Sequence, residues 1–481
     1  MRSVWLAVAI SVSRVPAASA QPPGAAPLQI SIEDAMRAAA RVSHPVAAAR
    51  ATIERARADV AAARAGYLPQ IAASASYVRT LESEYEGLFE GLGPGLGGDM
   101  GDPLVELPFG REHAWRAGID VTQSVWDGGR TRSSVALARS ARTLAELDER
   151  GRRAVAVLEV TEAYYGAVLA EELVAIGEAS LSLAERTLAN AQLGFEQGST
   201  SEFDRVRAEV TRDNQRTSLV RARADRDLAL VRLRRLLGLP LARPLALPSR
   251  LDGGGGAGAP ARTAGAIAGG GPERLPVAQA RATADARQAQ LDQARAERWP
   301  QIGLFTSLGV VSYPRQIAPE AWRRNGTVGV SVTVPLFTGF RTTAQIRGAR
   351  ADRRAAEALL AEAAAQTAEA DVRARSDVGV ASATLAASAR STGLARRAYE
   401  IAEVRYQQGV STYLELADAR LALDQAQINQ ASAARDLQVA RVRAVLLPSL
   451  PLATVSPAPS TAATLAVTPG ASATPRTPQA A

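Results

Sequence analysis

Glu415 and Asp418 are the side chains in this sequence best placed to act by charge. They stand three residues apart in "STYLELADA" (Ser411 to Ala419). On a helix that spacing puts both on one face, one turn apart, where paired carboxylates attract cations. Local structure accounts for part of the pattern. Thr412-Tyr-Leu-Glu415 reads as a capping box, as does Ser201-Glu-Phe-Asp204, each with a hydroxyl and a carboxylate that serve free amides at a helix start. Capping is one reading of Asp204 and Glu415, beside a functional one, and leaves Asp418 unexplained. A glycine precedes each box, Gly198 or Gly409, where a helix C-terminus favours positive φ.

Other chemistry finds no residues to carry it. The chain has no Cys and two His, His44 and His113, too few for a disulfide framework, a zinc site or His-based catalysis. His44 precedes Pro45 at a helix break, and His113 reads as a surface-loop residue. No Gly-rich phosphate loop occurs in strand-to-helix context, and no nucleophile has a His partner, so neither a metal, a cofactor nor an enzyme activity is expected. The net charge of +8 comes from Arg alone. Arg alternates with Glu and Asp along helical stretches, and aromatics make up 4%, which argues against nucleic acid as partner.

The elements that position these residues come in two copies. "HPVAAARATIERARADVAAARAGYLPQI" from His44 aligns without gaps with "LPVAQARATADARQAQLDQARAERWPQI" from Leu275, at an offset of 231. "VWDGGR" and "PLFTGFR" match at 211, pairing Gly128 with Gly339, as do "FEQGSTSEFDRV" and "YQQGVSTYLELA". The twenty residues of difference fall between Ile71 and Trp115, in a stretch that includes the polar, Gly-rich "EGLGPGLGGDMGDP". Two copies of one long unit indicate duplication.

Each copy reads helix, strand, loop, strand, very long helix, turn, helix. Ser31 to Asp34 caps the first helix, and Pro69 and Pro300 precede the strands. Val328, Val330, Val332 and Val334 share one strand face, with Thr327, Gly329, Ser331 and Thr333 on the other. Trp115, Ala117, Ile119 and Val121 likewise oppose Arg116, Gly118, Asp120 and Thr122. Four strands of about 10 residues with one apolar face fit an outer-membrane β-barrel, and Tyr67, Trp126, Trp299 and Phe337 suit its interfacial girdle. Four strands cannot close, and an open edge in lipid leaves backbone groups unsatisfied, so the chain must share a barrel with other copies. From Arg130 to about Gly194 there is no Pro, and apolar residues recur at helical steps. A helix of about 65 residues would reach about 100 Å and pack along its length in coiled-coil style.

Residues 1–20 are a secretory signal peptide, with Arg2, an apolar run from Val4 to Val12 and Ala-Ser-Ala before Gln21. Residues 29–247 and 274–447 are the two repeats. Residues 248–273 are a Gly/Ala-rich linker, and 448–481 a disordered Pro/Ala/Thr-rich tail.

The chain resembles the TolC-type outer-membrane efflux proteins over nearly all of residues 29 to 447. The resemblance rests on "YLPQI" and "WPQI" entering strands, "VWDGGR" and "PLFTGFR" leaving them, and "QGSTSEFDRV" and "QGVSTYLELADA" at helix turns. Ser124 departs from it, standing where Pro335 stands in the second copy. The resemblance implies a membrane β-barrel plus a long α-helical barrel. In that homotrimer each chain gives four strands to a 12-stranded barrel and long helices to a periplasmic tunnel. It also implies a periplasmic membrane-fusion adaptor and an inner-membrane pump of RND or ABC type as partners. Glu415 and Asp418 then fall at positions that ring the periplasmic aperture, six carboxylates near one axis. Asp204, Tyr406 and Ser411 match closed-tip contacts, although Arg is expected at Ser411. Gly198, Ser199, Thr200, Gly409, Val410 and Ser411 match the adaptor-docking turns, and Gly128, Gly129, Pro335 and Gly339 the barrel-to-helix junctions. The expected function is a passive exit duct in the outer membrane, for small toxic molecules or, equally legible, secreted proteins. The competing reading is an exported envelope coiled-coil adaptor without channel activity.

Overall fold

Pro69 and Pro300 each stand one residue before a strand, and each closes a helix that cannot continue through it. The computed structural model describes residues 27–81, 112–198, 200–251, 258–269, 271, 273–314, 316–319 and 321–452. The first repeat runs β1 (Leu28–Gln29), α1 (Ile32–Val42), α2 (His44–Arg64), β2 (Gln70–Arg79), β3 (His113–Trp126), α3 (Arg130–Glu196) and α4 (Glu202–Leu236). After β4 (Leu245–Ala246) and α5 (Ala259–Ala268), the second runs α6 (Leu275–Ala296), β5 (Gln301–Ser312), β6 (Arg323–Thr333), α7 (Arg341–Gln407) and α8 (Tyr413–Leu446). The signal peptide, the Gly-rich loop of the first hairpin, Ser199 and the tail from residue 453 lie outside the described residues.

The four long strands form one antiparallel sheet in the order β2-β3-β5-β6. Its register puts Ile71, Val121, Thr306 and Val328 in one cross-strand row, and Ala73, Ile119, Leu308 and Gly326 in the next. That face is apolar, and Val328 is 74% exposed. The opposite face carries Ser74, Ser76, Arg116, Asp120, Asn325, Thr327 and Ser331. In water such an arrangement would leave a broad valine face unburied, whereas lipid covers it. Among the described residues both outer strands, β2 and β6, have a free edge, so the sheet is open on both sides. Among the described residues no helix is long and apolar enough to cross a membrane.

β3 runs to Trp126, while β6 ends at Thr333, the counterpart of Thr122. Pro335 has no amide to donate to a ladder. Ser124 in the same place lets β3 go on pairing with β5 through a bulge between Ser124 and Trp126.

α3 and α7 each hold 67 residues, about 100 Å of helix. α4 folds back along α3 and α8 along α7, while α2 and α6 pack on the strand-proximal halves of α3 and α7. The largest core lies halfway along α3, from Ala154 to Val168, where α1, α5 and the ends of α4 and α8 meet it. The Tyr164 hydroxyl donates to Ile30 O at 3.1 Å and bonds the Ser249 hydroxyl at 2.8 Å, tying both β1 and the 248–273 segment to α3. Burial pushes the neighbouring Tyr165 up to about 12, with the charge of Glu33 adding to it.

Three expectations need correction. The segment 248–273 is more than a linker, because α5 sets Ala261, Ala264 and Ala268 into the core and Leu251 is buried with them. The packed chain does not stop at 447. Leu450 is fully buried, and the Arg150 guanidinium donates to Pro448 O and the Ser449 hydroxyl. His113 is no surface-loop residue: it opens β3, is buried, and its Nδ1 lies 2.9 Å from the Tyr77 hydroxyl. His44 is exposed at the start of α2, beyond the break at Ser43.

Candidate functional site

The helix-turn end is built from two turns at matching places in the repeats. Gly198 (φ 72°) and Gly409 (φ 71°) take the left-handed conformation, and their amides donate to Phe195 O and Tyr406 O at 3.0 Å. The Ser201 hydroxyl then accepts from the Asp204 amide at 3.1 Å and donates to its carboxylate at 2.7 Å. Thr412 accepts from the Glu415 amide at 3.4 Å. In both turns the hydroxyl half of the capping box forms, and Glu415 and Asp418 are exposed.

Behind the turns sits a small aromatic core. Tyr413 packs with Leu188, Ala191 and Ala208, and Tyr406 leans on it edge to face at 6.1 Å. The Tyr413 hydroxyl donates to Thr211 at 3.2 Å, and the Arg207 guanidinium lies 5.9 Å from its ring. Burial raises the Tyr406 pKa, and the charges of Asp204 and Tyr413 add to that; the Asp204 carboxylate itself is held by the Ser201 hydroxyl. Ser411 makes no such contact, since its hydroxyl is buried without a partner among the described residues. Arg405 instead approaches Glu415 at 3.9 Å, a loose half-exposed pair of the kind that contributes little.

One polar cluster was not anticipated. A turn beyond Leu416 the Arg420 side chain is buried and donates to Ser180 O on α3. The Ser180 hydroxyl donates to Asp424 at 2.6 Å, and Arg420 Nε is 3.9 Å from the same carboxylate. This cluster fastens α8 to α3. Asp418 borders a cavity of about 350 Å³ beside it, together with Arg207, Thr211, Tyr399 and Asp424. Its sequence signal was an Arg and Asp four apart on α8, which resembles any solvated pair.

At the other end of α3 and α7 lie the strand-to-helix junctions. Gly128 (φ 65°), Gly129 (φ 91°) and Gly339 (φ 59°) are left-handed, and so is Phe340 (φ 61°), the counterpart of Gly129. Pro335 follows β6 in the extended stretch before Gly339. Asp127, overlooked in the sequence, caps α3: its carboxylate accepts from the Gly129 amide at 3.0 Å and the Thr131 amide at 2.7 Å. Partial burial works to raise its pKa, but bonds from the Thr131 hydroxyl and amide and from the Gly129 and Arg130 amides prevail, holding the carboxyl below its usual range. In the second copy Thr338 takes this place, with its hydroxyl 3.1 Å from that of Thr342. Trp126 and Trp299 meet edge to face at 6.0 Å beside the first junction, at the level expected for an interfacial girdle.

Among the described residues no cluster of His, Asp or Glu could hold a metal ion. The geometry is that of a continuous wall: a sheet with one lipid-like face, a left-handed junction at the ends of β3 and β6, and long helical arms ending in an acidic turn.

Known proteins share this arrangement. The family model described as outer membrane efflux protein matches residues 36–239 and 273–446. Protein CyaE of Bordetella pertussis is 28% identical over 382 residues, covering 77% of this chain and 73% of that protein. The alkaline protease secretion protein AprF of Pseudomonas aeruginosa is 27% identical over 197 residues, 40% of each. The outer membrane protein VceC from Vibrio cholerae superposes with a TM-score of 0.69 at 19% identity, covering 86% of this chain and 95% of that one.

Proposed function

The chain belongs to the outer membrane efflux protein family, and from that premise we propose that it is the outer-membrane exit duct of a tripartite efflux or type I secretion assembly. The observation that carries this reading is the open four-stranded sheet running through rigid junctions into two helices of 67 residues. Three copies close a 12-stranded barrel in lipid, and their helices continue it as a tunnel into the periplasm. A duct of this kind needs neither a cofactor nor covalent chemistry. The duct is passive, and its direction and energy come from an inner-membrane pump, of RND or ABC type, through a periplasmic adaptor. A coiled-coil envelope protein would have no use for the valine face of β6.

Within that duct Glu415 and Asp418 ring the periplasmic aperture and select for cations, while Asp204 and Tyr406 hold the tip closed. The turns at Gly198, Thr200, Gly409, Val410 and Ser411 meet the adaptor. AprF is by name a secretion protein, whereas the family is named for efflux, and small toxic molecules are the cargo proposed here. Single-channel recording in planar bilayers tests the aperture. Lanthanum added on the tip side should block the wild type and leave Glu415→Ala/Asp418→Ala open. Equal block of both would remove the carboxylates from the aperture.

A further inference from the structure

The polar face of the sheet contains one aromatic residue among the described residues. Phe305 on β5 stands on the same face as Ser307, Thr122 and Thr327, while its strand neighbours Leu304 and Thr306 point to the lipid-like face. Its cross-strand neighbour on β6 is Gly329, and the ring lies over that glycine: a Cβ built there would meet Phe305 Cζ at 2.4 Å. The absence of a side chain at Gly329 therefore lets the phenyl ring lie along the wall, and it remains 42% exposed.

Asp120 on β3 pairs with Ser307, two residues along β5 from Phe305, a diagonal relation of about 7–8 Å between backbones. Its carboxylate accepts a long bond from Ser74 at 3.4 Å and has no ion-pair partner among the described residues. The nearest cation on that face along β3 is Arg116, four residues away, or about 13 Å. That exceeds the screening length of about 8 Å at physiological salt, so the carboxylate acts locally as a free negative charge.

We propose that Phe305 and Asp120 form a transient binding station for lipophilic organic cations on the lumenal wall of the barrel, present three times in the trimer. An exposed ring attracts a cation through its π-face and its apolar substituents through contact, and the carboxylate adds charge at one ring's distance. Either group alone binds weakly; together they favour a cation that carries aromatic or alkyl groups over a small hydrated one. This inference rests on the reading of that face as a channel lumen, and it narrows the cargo to cationic amphiphiles.

Calorimetric titration of the full-length channel in detergent with tetraphenylphosphonium tests it, with tetramethylammonium and triphenylphosphine oxide as the cation without rings and the rings without charge. Phe305→Ala and Asp120→Asn should each weaken tetraphenylphosphonium binding about threefold, and Phe305→Tyr should retain it. Gly329→Ala, which keeps the ring but displaces it, should weaken binding as Phe305→Ala does. Unchanged binding in Phe305→Ala and Asp120→Asn would overturn the station, as would tetramethylammonium binding equal to tetraphenylphosphonium. Currents recorded from the same preparations separate the two readings. Conductance with variant-independent binding removes the station and leaves the duct, and variant-dependent binding without conductance does the reverse.

Discussion

Replacing Gly128 with Ala should damage the barrel-to-helix handover far more than the same change at Gly339, its counterpart in the other repeat. Both glycines are left-handed, at φ 65° and 59°, so both variants carry strain of about 1–2 kcal/mol. Their surroundings differ. A Cβ at Gly128 would lie 2.6 Å from Trp299 Cβ and 2.9 Å from Ala296 O, whereas no described residue lies within 4 Å at Gly339. The carbonyl belongs to the end of α6, and Trp299 packs on Trp126, so neither can move without opening the junction. Overpacking of that kind costs about 1–3 kcal/mol more. Gly339→Ala should therefore lose about 1 kcal/mol and Gly128→Ala about 3 kcal/mol or more. The assay is the half-life of the folded, detergent-solubilised protein at a fixed high temperature, with helicity as the signal, because large membrane assemblies unfold irreversibly. Equal half-lives for the two variants would refute the reasoning, since the shared strain would then be the whole effect.

Other outcomes follow from the same geometry. The lowered pKa of Asp127 means its capping contribution is present above its unfolded value of about 3.9 and is lost as pH falls through the folded one. Half-lives of the wild type should therefore shorten in that acid range. Asp127→Ala should start lower by about 1 kcal/mol and lack that acid step, and a step of the same size in the variant would exclude Asp127 as its source. Arg420→Met should destabilise the tunnel by about 1–3 kcal/mol, by leaving Ser180 O without its donor and the partly buried Asp424 without its cation. Arg420→Met/Asp424→Leu should recover much of this in a double-mutant cycle, and strict additivity would show that the two do not interact. Tyr406→Phe and Asp204→Ala should raise the resting conductance in planar bilayers, and an unchanged closed-state current would release both residues from the tip.

The strands and the long helices were legible because each rests on a local period. Alternation from Val328 to Thr333 fixes which side faces lipid, and the absence of Pro from Arg130 onward fixes a long helix. Duplication supplied the rest, since each junction and turn could be checked against its copy. The features that escaped depend on neighbours far along the chain. The bulge at Ser124 exists because β3 has β5 to pair with. α5 reads as low complexity, and its alanines matter only because α1 and α8 lie against them. His113 looked like a loop residue because alternation begins at Trp115, yet the ladder reaches Arg79 opposite it. Around the tip, the sequence placed the capping boxes but missed that Arg405 stands beside Glu415 and that Arg420 turns inward to Ser180. Those pairings span a turn and a helix–helix contact, and no single-helix spacing encodes them.

The claim beneath all of this is that one chain supplies a third of a closed ring, and the seam between β6 and β2 of the next copy tests it most directly. The chain has no cysteine, so introduced ones report without background. Ser76→Cys on β2 would be combined in turn with Asn325→Cys, Thr327→Cys, Ser331→Cys and Thr333→Cys on β6. Facing residues of neighbouring antiparallel strands lie about 4.5–5.5 Å apart, within the reach of a disulfide. Oxidation in outer membranes should link one of these pairings into a covalent species of three chains and no larger. Failure of every pairing to link, or a ladder running beyond three chains, would contradict the closed trimer.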